Sequence, residues 1–174
     1  MRSASRPSVS PRWFGRLLAR RRYSVTEHGA ENVPLSGAAV LAAGHAQAED
    51  RELLELFGPR RVHVPLELPA VRTCLHLLAQ QQALAVLLDP TAGIVEQDRF
   101  HRRTAYLALV SGAPVVPVTV VRSDRLALVY GVPYRIEPRP WPRTKRLVAA
   151  TSVDLRVHAL VAHDAALRVA GGTS

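Results

Sequence analysis

The chain has 174 residues, a length that fits one domain with a hydrophobic core of its own. Apolar residues make up 48% and charged residues 21%, which excludes a chain that is disordered as a whole. The formal net charge of +9 indicates an acidic partner, which is a nucleic acid, an anionic membrane surface or a phosphorylated substrate.

The first 23 residues differ from the rest in being basic and poor in acidic side chains. Pro11 can open a helix. Apolar side chains then recur at helical spacing, with arginines between them: Trp13, Phe14, Leu17 and Leu18. This pattern predicts an interfacial helix whose apolar side lies among lipid headgroups, with a surface helix packed on its own domain as the alternative. We therefore divide the chain into a basic N-terminal segment, 1–23, and a single domain, 24–174.

From Gly37 onward, apolar runs suited to buried strands alternate with helical patterns. The predicted strands are 38–43, 62–65, 83–88, 115–121 and 125–130. The predicted helices are about 49–57, 70–82, 102–110 and 152–169. This alternation predicts an α/β fold with a mixed, largely parallel sheet flanked by helices.

The single cysteine, Cys74, excludes an intrachain disulfide and favours a reducing compartment. No apolar run approaches the roughly 20 residues that span a bilayer. We therefore expect a cytoplasmic protein that is peripheral on the cytoplasmic membrane.

A candidate catalytic pair lies just after the first buried strand, where four residues separate His45 from Asp50. On one continuous helix this spacing would put them about 140° apart, but across a strand end and the first turn of a helix they can converge. An aspartate that accepts a hydrogen bond from one imidazole nitrogen leaves the other nitrogen as a base. Such a base can remove the proton of an alcohol that attacks a thioester. The spacing alone also occurs by chance, and a histidine that is merely a satisfied polar residue is the alternative.

Several motifs between residues 27 and 136 follow one another in a recognisable order. They are Glu31-Asn32-Val33-Pro34, His45-x4-Asp50, Gly112-Ala113-Pro114-Val115-Val116-Pro117-Val118 and Tyr130-Gly131-Val132-Pro133-Tyr134. Together they resemble the lysophosphatidate (1-acyl-glycerol-3-phosphate) acyltransferase family of phospholipid biosynthesis, as a shortened and divergent member. The domain 24–174 is in this sense acyltransferase-like.

The resemblance implies a glycerolipid-acyltransferase-like fold and an O-acyltransferase in which His45 is the general base and Asp50 orients it. A fatty acyl group would move from acyl-CoA or an acyl-carrier protein, as cosubstrate, to a hydroxyl of a lysophospholipid or glycerol-phosphate-like acceptor. No tightly bound cofactor and no metal is expected.

The second motif block of the family departs from its usual form. The family's F-P-E-G-T-R-S reads Leu87-Leu88-Asp89-Pro90-Thr91-Ala92-Gly93, so Asp89 replaces the glutamate and Ala92 replaces the arginine implied to grip phosphate. The resemblance implies that Asp89 and Thr91 shape the acceptor site. We expect His45, Asp50 and Asp89 to share one cleft at the carboxyl ends of neighbouring strands.

Three nearby arginines are candidates to replace the missing phosphate ligand: Arg99, Arg102 and Arg103. Guanidinium groups bind phosphate through paired hydrogen bonds. The alternative is that they form a solvated helix face.

Two other functions compete with acyl transfer. A catalytically weak or inactive descendant of the fold, binding lipid or an acyl-carrying partner, is favoured by the lost arginine at Ala92 and by the short segment after Asp50. Nucleic-acid binding rests on charge alone, because neither an aromatic strand motif nor a recognition helix accompanies the arginines. The expected partners are therefore a thioester donor, a lysophospholipid-like acceptor and an anionic membrane surface.

Overall fold

The structure, a computed structural model, describes residues 24–44, 46–47, 49–65, 70–123, 125–137 and 144–171. The predicted interfacial helix in 1–23 lies outside these residues, and so does His45. The helix and the role of His45 therefore stay predictions.

A six-stranded sheet forms the centre of the protein. Its strands are β1 (Val25–His28), β2 (Ala39–Ala43), β3 (Val62–His63), β4 (Ala83–Leu87), β5 (Val115–Arg122) and β6 (Leu126–Tyr130). Their order across the sheet is β1-β6-β5-β2-β4-β3. Strands β3, β4, β2 and β5 are parallel, whereas β6 runs antiparallel to β5 and carries β1 parallel to itself. The predicted mixed, largely parallel sheet is confirmed.

In the part of the chain that the structure describes, four α-helices cover the two faces of this sheet: α1 (Asp50–Phe57), α2 (Val71–Ala79), α3 (Ile94–Ser111) and α4 (Lys145–Gly171). A short 3₁₀ turn, Ala30–Asn32, precedes β2. Alternate residues of a strand point to opposite faces. The face that carries Leu41 packs against α1, and the face that carries Val40 packs against α2, α3 and α4. Strand β2 is buried along its whole length, which explains its continuous apolar run.

The element boundaries differ most from the sequence prediction in α3 and α4. Helix α3 begins at Ile94, well before the predicted start at Arg102. The two apolar residues of its first turn, Ile94 and Val95, are exposed and charged residues follow them, so this part of the helix shows no apolar stripe. It ends where predicted, at Gly112, which takes the left-handed conformation with φ 69°. Helix α4 likewise begins at Lys145 rather than near Ser152. Within the described residues, no helix combines the length and the apolar character that crossing a membrane requires.

Candidate active site

Asp50 is the first residue of α1, and its side chain is 0% exposed. One carboxylate oxygen accepts a hydrogen bond from the backbone N–H of Gln47 at 2.7 Å. The other oxygen accepts a charge-assisted hydrogen bond from the guanidinium of Arg122. The backbone N–H of Asp50 in turn donates to the carbonyl of Gln47 at 3.1 Å. A buried carboxylate needs such compensation, and here it is both neutralised and held in one orientation.

Arg122 is a site residue that the sequence analysis missed. It is the last residue of β5, which pairs with β2, and its side chain is 35% exposed. It has the same strand parity as Val116 and Val118, which pack against α1, so it points to the face on which Asp50 lies. The sequence does show a charged residue at the end of an apolar strand. To predict that it meets Asp50, however, one must know that β5 lies beside β2.

His45, the predicted base, lies outside the described residues, but both of its neighbours in the chain are described. Gly44 lies at the edge of a cavity, and a Cβ atom added there would meet nothing within 4 Å. The N–H of Ala46 donates to the carbonyl of Leu88 at 2.8 Å, so the chain after β2 stays tied to the end of β4. How His45 faces Asp50 stays a prediction.

Asp89 lies in the exposed loop after β4, and its carboxylate is held within that loop. It accepts hydrogen bonds from the hydroxyl of Thr91 and from the backbone N–H of Thr91, the latter at 2.7 Å. These two hydrogen bonds, the hydroxyl's most of all, lower the pKa of Asp89 and favour its anionic form.

Asp50 and Asp89 thus follow adjacent parallel strands, β2 and β4, at the same edge of the sheet. Their surroundings differ, because Asp50 is buried in an ion pair whereas Asp89 faces solvent. The cleft predicted to hold both carboxylates together with His45 stays a prediction.

An apolar cavity of about 240 Å³ lies between the sheet and helices α3 and α4. Gly44 and Leu88 line it from the carboxyl ends of β2 and β4. Its other lining residues are Ala42, Gln97, Phe100, His101, Thr104, Val115, Pro117, Val118, Thr119, Leu155, Arg156, His158, Ala159, Leu160 and His163. Side chains from the sheet and both helices therefore surround a mainly apolar space, which three histidines also line and which begins next to the predicted catalytic segment.

His101 is the cavity residue with the clearest electrostatic perturbation. Burial lowers its pKa, the positive charge of Arg156 lowers it further, and Asp98 offsets part of the shift. The neutral imidazole is thus the favoured form in the folded protein. The sequence analysis had not assigned His101 to the site.

The three candidate arginines lie on the opposite side of α3, in an open groove of about 500 Å³ next to α2. Its lining residues are Val71, Val95, Asp98, Arg99, Arg102, Arg103 and Tyr106. Arg102 pairs with Asp98 at 2.7 Å. The Nε of Arg103 is buried and has no hydrogen-bond partner among the described residues. The structure therefore brings the arginines together with one another, in a basic groove that α3 separates from the cavity.

These observations define an α/β protein with a mixed, largely parallel sheet, in which candidate site residues follow the carboxyl ends of neighbouring strands. Among solved structures, its fold matches that of PlsC, the 1-acyl-sn-glycerophosphate (LPA) acyltransferase from Thermotoga maritima, with a TM-score of 0.56. The match covers 84% of this chain and 78% of that chain at 16% sequence identity, so it shows a shared fold. The resemblance inferred from the sequence is confirmed at that level. No protein-family model matches the chain, and a search of curated proteins found no match.

Proposed function

We propose that the protein is an O-acyltransferase that moves a fatty acyl group from an acyl thioester to a hydroxyl of a lysophospholipid or glycerol-phosphate-like acceptor. The observation that carries the proposal is the apolar cavity that Gly44, the residue before His45, lines on a fold shared with PlsC. An acyl chain needs such an enclosure, because each buried CH₂ contributes about 0.8 kcal/mol. The donor is acyl-CoA or an acyl-carrier protein.

In this proposal, His45 is the general base. It takes the proton of the acceptor hydroxyl while the hydroxyl oxygen attacks the thioester carbonyl carbon. The C–S bond then breaks, the ester forms, and the leaving thiolate takes the proton from the imidazolium. No metal and no tightly bound cofactor enters these steps.

Asp50 would orient His45 by accepting a hydrogen bond from its second nitrogen. The two contacts described for Asp50, with Arg122 and with the Gln47 amide, leave acceptor capacity, because an ionised carboxylate offers about four lone-pair sites. Arg122 is then a positioning residue that holds the buried carboxylate of Asp50 in place.

The acceptor would bind across the start of α3. Asp89 and Thr91 lie in the loop before this helix, Val95 lines the basic groove, and Gln97 lines the cavity. The acyl chain and an anionic headgroup can therefore approach the same helix end from its two sides. In this arrangement Arg99, Arg102 and Arg103 bind the headgroup phosphate.

The proposal is tested by measuring thioester consumption by the purified protein with a panel of lysophospholipids, a neutral monoacylglycerol and simple alcohols. We expect thiol release that depends on a lysophospholipid and yields a diacyl product. Replacing Ala159, which lines the cavity, with phenylalanine should shift the preference to shorter acyl chains. The matched control is Ala150→Phe, on the exposed side of the same helix, which should leave the preference unchanged. An identical shift in acyl-chain preference in both variants would contradict the claim that the acyl chain binds in the cavity.

A second candidate is the binding-only descendant of the same fold, which holds lipid or an acyl-carrying partner without transferring the acyl group. The full burial of Asp50 and its pairing with Arg122 favour it, because the same contacts also fix the start of α1 to the preceding loop and to β5 without any part in catalysis. Thiol release that no acceptor stimulates, together with saturable binding of a fatty acid or an acyl thioester, would select this candidate.

A further inference from the structure

Helix α4 carries a second apolar stripe on the side that points away from the core. Four side chains form this outer face, with exposed fractions of 57–66%: Val153, Val157, Leu160 and Val161. They recur at i, i+4, i+7 and i+8, which places them on one side of a helix. The core side of the same helix is marked by Leu155 and Ala166, which are buried. A helix packed on one domain needs only one such stripe, so the packing of α4 on the other described residues does not explain its outer face.

The outer face adjoins the mouth of the apolar cavity. Leu160 belongs to both, and the exposed side chain of Arg156 also lines the cavity. Arg156 donates a hydrogen bond to the side-chain oxygen of Gln97 on α3 at 3.3 Å. One helical turn before Gln97 lies Ile94, which is 79% exposed. Exposed apolar side chains of α3 and α4 therefore lie near the exposed lining residues of the cavity, Arg156 and Leu160.

Summed over its whole length, helix α4 has the sign of charge that an anionic lipid surface attracts. Helix α4 has four basic side chains, Lys145, Arg146, Arg156 and Arg168, against two acidic ones, Asp154 and Asp164. The pair between Arg168 and Asp164 at 2.5 Å neutralises two of these. Of the net charge of +9 that the whole chain carries, +7 lies in residues 1–23 and +2 in residues 24–174. A second copy docked on this face would bring two positively charged molecules together, whereas a bilayer with anionic headgroups gains from both the charge and the apolar stripe.

We propose that the outer face of α4 docks on an anionic bilayer surface, so that the mouth of the cavity opens into the lipid. The residues of this surface belong to the domain 24–174 and not to the N-terminal segment 1–23. The inference rests on the proposed function in one respect, which is that a lipid occupies the cavity.

A position-specific probe tests the docking in the full chain. An environment-sensitive fluorophore is attached at Val157→Cys and, as a matched control, at Leu35→Cys, a 79% exposed apolar position in the loop before β2. The native Cys74 is buried and is a poor competitor for the label. With vesicles that contain phosphatidylglycerol, we expect a blue shift and protection from an aqueous quencher at position 157 but not at 35. Vesicles of phosphatidylcholine alone should give a much smaller change.

A triple variant gives an independent measurement. Val153→Ser, Val157→Ser and Val161→Ser together should weaken vesicle binding about tenfold, because they remove apolar area from the membrane contact. Leu35→Ser should leave binding unchanged. Circular dichroism checks that each variant is folded, which the exposure of these positions leads us to expect.

Three results would overturn the proposal. The first is equal fluorophore responses at positions 157 and 35. The second is shielding of position 157 that needs no vesicles and grows with protein concentration, which assigns the face to a second copy. The third is shielding without vesicles at every concentration, which assigns it to another part of the same chain. If vesicles shield position 157 but no assay detects acyl transfer, the docking stands and the proposed function is rejected. If acyl transfer is detected but vesicles do not shield position 157, the proposed function stands and the docking is rejected.

Discussion

Replacing Arg122 with methionine should destabilise the protein by an amount that reports how strongly Asp50 depends on it. The change leaves a 0% exposed carboxylate with the Gln47 amide as its remaining described contact. Removing one partner of a fully buried ion pair costs about 3–5 kcal/mol. Because the Arg122 side chain is 35% exposed, water reaches part of this pair. We therefore expect a loss of about 2–3 kcal/mol in the free energy of unfolding. That corresponds to a fall in Tm of roughly 5–10 °C for a domain of this size.

Urea unfolding followed by circular dichroism measures this free energy, and Arg102→Met is the matched control. Arg102 pairs with Asp98 on the surface, where the two side chains are 55% and 48% exposed, so its loss should cost at most about 1 kcal/mol. The cost of Arg122→Met should shrink in an Asp50→Asn background, because no buried charge is then left unpaired. If Arg122→Met lowers the free energy of unfolding no more than Arg102→Met does, the ion pair between Arg122 and Asp50 does not compensate for the burial of the Asp50 carboxylate.

Two further predictions concern pH and the backbone. The lowered pKa of His101 means that the unfolded chain binds the proton more readily than the folded protein. His101 should therefore lower the free energy of unfolding as the pH falls below the ordinary histidine pKa of 6.5. In His101→Gln, the free energy of unfolding measured in urea should depend less on pH between about pH 7 and 5. An unchanged pH dependence in the variant would contradict the burial of the imidazole. Gly29 has φ 69°, and a Cβ there would lie 2.2 Å from a carbonyl oxygen of β6, so Gly29→Ala should cost more than about 1–2 kcal/mol. Gly44→Ala, where a Cβ has open space, should stay within about 0.5 kcal/mol, and equal costs in thermal unfolding would argue against this geometry.

The parts of the fold that could be predicted from the sequence are those whose residues are buried on both sides. Strands β2 and β4 appear as continuous apolar runs because helices cover both of their faces. Strand β1, by contrast, was not predicted, since its four residues Val-Thr-Glu-His are largely half-buried and lack such a run. The place of Asp50 at the start of α1 followed from the acidic residues that open this helix.

The contacts that depend on strand order could not be predicted. Arg122 meets Asp50 only because β5 lies beside β2, and the pairing of non-consecutive strands is not encoded in any local pattern. The periodic pattern of α4 was also ambiguous, because the helix has apolar residues on two sides and periodicity alone does not say which side faces the core. Arg99 and Arg102 follow Asp89 closely in the sequence, but that proximity could not predict that their side chains project into the groove beside α2, on the side of α3 opposite the cavity.

The central claim is that His45 is the base of an acyl transfer, and its most direct test compares three variants in the acceptor-dependent thioester assay. His45→Ala should lower the rate about 10²–10⁴-fold, because it removes the group that takes the hydroxyl proton. Asp50→Asn should lower the rate by the same factor or less, since it disturbs the orientation of the base. His63→Ala, which changes an exposed histidine on β3, should retain the wild-type rate. An acceptor-dependent rate that survives His45→Ala unchanged, or that falls equally in His63→Ala, would contradict the account.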